Sequence, residues 1–190
     1  MADLAQSVRI RTEYDERGIG WSDLGAHLPR LYEFARGYRA PTIIELGVRD
    51  GASTVAFLRA VSEVGGHVHS ADIRHPQVPI WWADTQWWTF HVGDDLSTPI
   101  LDALPERADI VFIDTSHYYD HTLAELHTYV PRVKRGGLVL CHDTELEVPP
   151  DWPGIHYPVQ HALDDYCAET GRTWENISGD SGLGVIRIPT

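Results

Sequence analysis

The chain has 190 residues, enough for one sizeable core and short for two ordinary domains. Its 28 acidic residues against 15 Lys and Arg give a formal net charge of −13. That balance argues against nucleic acid as a partner, because phosphate binding relies on clustered cations; a small or neutral acceptor is easier to reconcile with it.

The first forty residues read as a helical extension, 1–40, ahead of a domain spanning 41–190. Leu4, Val8 and Ile10 give a weakly amphipathic segment. Leu24, Leu28, Leu31, Tyr32 and Phe34 give a stronger one, in which Pro29 either kinks the helix or marks its first turn, and Pro41 stops it. Apolar strand-like runs then alternate with helical ones: strand 42–47, helix 52–64, strand 67–72, a Trp-rich connection, strand 88–92, helix 97–104, strand 109–114, helix 119–132 and strand 137–142. Such alternation predicts an α/β fold with a parallel sheet and helices on both faces. A Pro-rich loop, 148–153, a helix over 158–170 and a hairpin of 173–177 with 183–188 follow. Cys141 and Cys167 show no Cys-x-x-Cys spacing, there is no signal-peptide pattern, and no apolar run approaches membrane-spanning length. The expectation is a cytoplasmic protein with reduced core thiols and neither zinc nor a membrane partner.

The run Ile43-Ile44-Glu45-Leu46-Gly47-Val48-Arg49-Asp50-Gly51-Ala52-Ser53 carries an acidic residue on an apolar strand into a glycine-containing turn that opens a helix. Gly47 and Gly51 allow a tight turn and close ligand approach, and the helix start offers unpaired N–H groups. Gly-x-x-x-Gly is neither a dinucleotide fingerprint nor a phosphate loop, which disfavours an NAD-dependent oxidoreductase. Asp72 closes the next strand about twenty residues on, where its two carboxylate oxygens suit ribose hydroxyls. Together these features resemble the class I S-adenosylmethionine (SAM) methyltransferases. The resemblance implies a Rossmann-like seven-stranded sheet of order 3-2-1-4-5-7-6, with the late hairpin as its antiparallel edge. It also implies that Glu45 approaches the methionine part of the cofactor and that Asp94, in Gly93-Asp94-Asp95, contacts adenine. Ser53 is open to two readings, helix cap or ligand to the cofactor carboxylate. Ile73 and Asp114 complete the expected cofactor-binding set.

A second signal is Val111-Phe112-Ile113-Asp114-Thr115-Ser116-His117-Tyr118-Tyr119, followed by a helix, a Gly136-Gly137 turn and a strand ending in His142-Asp143. Both acids reach the same sheet edge, where hard oxygen ligands suit Mg²⁺. The pattern resembles metal-dependent O-methyltransferases, including antibiotic sugar O-methyltransferases and cephalosporin-hydroxylase-like proteins. That implies methyl transfer to a hydroxyl of a small acceptor, most naturally a carbohydrate. The expected metal ligands are Asp114 and Asp143, with His142 as a further ligand or as a residue facing the acceptor. In related sugar enzymes Glu often precedes the second Asp, so His142 is a departure. His117 matches the family's base position, with His142 as the competing base. The alternatives are a catechol-type O-methyltransferase and a non-catalytic SAM-binding accessory protein. The Trp81-Trp82 and Trp87-Trp88 pairs read as packing, Trp152 as packing or part of an acceptor lid, and the N-terminal helices with the surplus tryptophans suggest a homodimer.

Overall fold

The computed structural model describes residues 2–17, 23–147 and 157–190. Trp152 and the Pro-rich loop expected over 148–153 lie outside the described residues.

Among the described residues, α1 (Ala2–Arg17) and α2 (Leu28–Arg36) precede β1 (Thr42–Leu46), α3 (Ala52–Val64), β2 (His67–Asp72) and β3 (Trp88–Val92). Then follow α4 (Thr98–Ala103), β4 (Ala108–Ile113), α5 (Tyr119–Tyr129), β5 (Val133–His142), α6 (Pro158–Thr170), β6 (Trp174–Ile177) and β7 (Leu183–Arg187). The seven strands form one sheet of order β3-β2-β1-β4-β5-β7-β6, as expected. β1 to β5 run parallel and β7 is antiparallel to both β5 and β6.

Period-two alternation along the central strands divides the core into two layers. Ile43, Ile110, Phe112, Leu138 and Leu140 face α1, α2 and α3. Ile44, Val111, Ile113, Val139 and Cys141 face α5 and α6. The N-terminal helices are thus built into the core, with Ile10 and Leu31 fully buried. Cys141 and Cys167 are free and buried, as expected. No helix among the described residues is long and apolar enough to cross a membrane.

From residue 42 on, two boundaries differ from the sequence reading by more than one residue. Helix α5 ends at Tyr129 and passes into a 3₁₀ turn, Val130–Arg132, because Pro131 has no N–H with which to continue the α ladder. The Gly136-Gly137 pair lies inside β5: Ala108 pairs with Val133 while Ile110 already pairs with Leu138, so the intervening residues bulge. A Cβ on Gly137 would sit 2.6 Å from the Asp109 carbonyl oxygen, which is why glycine is needed there. Pro29 lies in the first turn of α2.

Candidate active site

Gly47 follows β1 with φ +87°, and a Cβ there would lie 1.9 Å from the Asp114 carbonyl oxygen at the end of β4. Gly51 caps α3 with φ +81°, and its Cβ would lie 2.6 Å from Val78 Cγ1 and 2.7 Å from Trp82 Cζ3. Both glycines are therefore demanded by protein packing at the turn, in keeping with the tight turn that the sequence suggested there. Asp72 ties the same turn to β2: its Oδ2 accepts from the Val48 N–H at 2.9 Å and the Arg49 N–H at 3.0 Å, and its Oδ1 from the Arg74 N–H at 3.0 Å. A carboxylate has about four acceptor sites, so Oδ1 keeps capacity for a ligand hydroxyl. Arg49 is held from the N-terminal side by Asp23, through two bonds of 2.6 and 3.0 Å, and that pairing lowers the Asp23 pKa.

A cavity of about 520 Å³ opens at the carboxyl ends of β1, β2, β3 and β4. Its walls include Gly47, Ser53, Asp72, Ile73 and Asp94 on one side and Asp114 and His117 on the other. Ile73 presents an exposed apolar side chain there, and Asp94 accepts from the Leu96 N–H at 3.0 Å. Glu45 does not line it. The residue is fully buried one layer behind, with Ser53 Oγ donating to its Oε1 at 2.6 Å, Thr54 Oγ1 to its Oε2 at 2.8 Å, and Ser70 Oγ donating as well. Burial pushes its pKa up to about 7 against the opposing effect of those hydroxyls. The expectation that Glu45 meets the cofactor is corrected accordingly: it points from β1 toward α3 and holds Ser53 from behind. Ser53 is not the helix cap, a position taken by Gly51.

At the other side of the cavity Asp114, His117 and Asp143 bring one ligand atom each within 4.8 Å of one another. His117 Nδ1 lies 3.0 Å from Asp143 Oδ2. His117 and Asp143 both take left-handed backbone conformations, φ +56° and +63°, which a side chain with a Cβ adopts only where its surroundings hold it. His142 is placed differently from either expectation. Its side chain is 1% exposed, its Nε2 donates to the Asp180 carbonyl at 2.8 Å, and its Nδ1 lies 3.3 Å from both Asp114 Oδ1 and Asp143 Oδ2. Burial alone would lower its pKa, but the two carboxylates outweigh burial and raise it to about 11. With Nε2 donating to a carbonyl oxygen and Nδ1 turned toward the two carboxylates, His142 braces the acid pair from behind, and it does not line the cavity.

Residues 44–144, just over half of the chain, match a family described as a methyltransferase domain. The chain belongs to this methyltransferase family. Among solved structures the methyltransferase resembles MycE from the mycinamycin biosynthetic pathway, captured with Mg and SAH, at 18% identity and a TM-score of 0.67, over 95% of this chain and 54% of MycE. It also resembles TomG from Streptomyces achromogenes, an O-methyltransferase of tomaymycin synthesis captured with SAM, at 17% identity and a TM-score of 0.63, over 100% of this chain and 91% of TomG. A curated relative, the uncharacterized protein R132 of Acanthamoeba polyphaga mimivirus, is 38% identical over 50 residues, 26% of this chain and 23% of R132. The methyltransferase thus spans about half the length of MycE and a smaller share of R132.

Several residues of the methyltransferase site escaped the sequence reading. Thr54 and Ser70 complete the Glu45 cage, and Trp88 Nε1 donates to Ser70 Oγ at 2.8 Å, which extends the cage into the tryptophan cluster. The tryptophans themselves are packing, as expected: Trp82, Trp87 and Trp88 are buried, and Arg9 stacks 4.2 Å over the half-buried Trp81. Asp95, His121 and Glu125 form a second cluster beside the cavity. The spacing of His121 and Glu125, four apart on one helix, was the available signal.

Proposed function

We propose that this chain transfers a methyl group from S-adenosylmethionine to a hydroxyl oxygen of a small acceptor, with Mg²⁺ at the Asp114–Asp143 edge and a carbohydrate-bearing molecule as the acceptor. The observation that carries the reading is the convergence of Asp114, His117 and Asp143, the first two on the wall of the same cavity that holds Asp72. The cavity also fits the cofactor. Asp72 Oδ1 retains acceptor capacity for a ribose hydroxyl, Ile73 offers an apolar face for adenine, and the first N–H groups of α3 are unpaired for a carboxylate. Asp94 stands at the far end of that wall for the adenine amine.

When bound, the cofactor supplies the sulfonium methyl and the cation stabilises the developing alkoxide. The chain's own part is alignment and proton removal. Nδ1 of His117 is engaged by Asp143, which leaves Nε2 to take the acceptor's proton. His142 braces the acid pair from behind, with Nδ1 facing both carboxylates, and does not line the cavity. The carbohydrate assignment is supported by the Ile-Asp-x-x-His-x-Tyr and His-Asp resemblance. A homodimer belongs to the same reading, and light scattering should then return twice the 21.4 kDa chain mass.

Calorimetry with S-adenosylhomocysteine tests the cofactor assignment: binding should be lost or cut by at least about tenfold in Asp72→Ala, from the value of hydrogen bonds to a charged group. Unchanged binding sinks it. Chelation with EDTA should abolish transfer to a hydroxyl acceptor and added Mg²⁺ restore it; full activity in EDTA overturns the metal assignment.

A further inference from the structure

We propose that Asp95, His121 and Glu125 form a second divalent-cation site, separate from the Asp114–Asp143 edge and selective for a transition ion such as Zn²⁺ or Co²⁺ over Mg²⁺. Asp95 comes from the turn between β3 and α4, while His121 and Glu125 stand one helical turn apart on α5. His121 Nε2 lies 3.2 Å from Asp95 Oδ1 and 3.6 Å from Glu125 Oε1. Ligand atoms around an ion at about 2.1 Å are separated by roughly 3.0 to 3.4 Å, so little movement is needed to close the set.

The surroundings are those of a built site. Glu125 is fully buried and Asp95 nearly so, and Glu125 Oε2 and Asp95 Oδ2 are buried with no hydrogen-bond donor. The Thr115 hydroxyl donates to Glu125 Oε1 at 2.8 Å, and the Tyr129 hydroxyl donates to the Asp95 carbonyl; both orient the ligands from behind. Two buried carboxylates facing one another need a positive charge between them. An ion has a way in, because Asp95 and His121 line the cavity and the His121 side chain is 28% exposed. An imidazole among the ligands favours Zn²⁺ or Co²⁺, whereas Mg²⁺ prefers oxygen and water. Once bound, the ion would pin the β3–α4 turn to α5. None of the three ligands is shared with the Asp114 cluster, so occupancy of the two sites is separable. A proton shared between Asp95 and Glu125 is the rival way to balance the charge.

The test is a Co²⁺ titration of chelator-stripped full-length protein in excess Mg²⁺, followed by calorimetry and visible absorption. One Co²⁺ per chain with a ligand-field band is expected. Asp143→Asn, which leaves the second cluster intact, should retain it, while Thr115→Val should weaken it about 10- to 100-fold. His121→Gln should abolish it while circular dichroism stays native. Absence of Co²⁺ binding in excess Mg²⁺ overturns the proposal, and in that case a protonated-carboxyl infrared band lost in Glu125→Gln would identify the shared proton. Loss of Co²⁺ in Asp143→Asn also overturns it, because the ion then sits at the first edge.

Discussion

Glu45 should make this protein more stable in weak acid than in weak base, and Glu45→Gln should remove that dependence. The carboxyl is completely buried and its pKa is raised to about 7 from an ordinary value of 4.5, by burial against the three hydroxyls of Ser53, Thr54 and Ser70. The folded state thus binds a proton that the unfolded chain has already released between pH 4.5 and 7. Its stabilising contribution is complete below the unfolded value and is lost as pH rises through the folded one. At 1.36 kcal/mol per pKa unit the swing is roughly 3 kcal/mol. Glutamine cannot titrate. Its amide also meets hydroxyl donors on both sides, so it brings a fixed penalty that is independent of pH. Urea unfolding of both proteins across this window, with the difference in unfolding free energy plotted against pH, isolates the group because other titrations cancel. The difference should change by roughly 3 kcal/mol toward the Gln variant as pH rises. A difference that stays flat to within about 0.5 kcal/mol, the spread of an indifferent substitution, would refute the argument that burial governs this carboxyl.

Gly51→Ala would drive a Cβ into Val78 and Trp82 at a left-handed φ, and should lower the unfolding midpoint by the equivalent of about 2–3 kcal/mol while weakening cofactor binding, read by urea titration and calorimetry. His69 is held at a pKa of about 4 by burial, with His67 and His91 adding to the depression. Its contribution is present above 6.5 and lost as pH falls toward 4, so His69→Leu should flatten the acid limb of the stability curve by about 1 kcal/mol after discounting for partial exposure. His117→Gln should cut kcat by about 10²- to 10⁴-fold with S-adenosylhomocysteine affinity unchanged. His142→Gln should instead lower thermal stability by about 1–3 kcal/mol, since it removes a buried partner from two carboxylates, and calorimetric scanning distinguishes the two.

The sheet was legible because strand signals are local. β2, β3 and α3 have the predicted limits, and each acid expected at a strand end is found there. What was not legible is depth. Nothing in the run around Glu45 says whether its side chain faces the ligand or the helix behind, since both lie at the same end of β1, and the answer depends on Ser70 arriving from β2. The packing that excludes a side chain at Gly47 and Gly51 was likewise hidden. The atoms that exclude a Cβ belong to Asp114 and Trp82, dozens of residues downstream. Asp95 and His121 met only through the packing of the β3–α4 turn on α5, a contact with no sequence signature.

The departure at His142 now has a physical account. A carboxylate at this position would place a third negative charge beside Asp114 and Asp143. The imidazole, with Nε2 anchored on Asp180 in the turn between β6 and β7, instead turns Nδ1 toward both carboxylates and adds no negative charge. Cation affinity at such a site rises with the number of carboxylate ligands, so this edge would hold the proposed Mg²⁺ more weakly than a three-carboxylate edge would. Weak ground-state binding does not weaken catalysis by itself. What would matter for the proposed transfer is the interaction with the alkoxide as it forms, and a cation held by two carboxylates would keep more of its charge for that oxygen than one held by three.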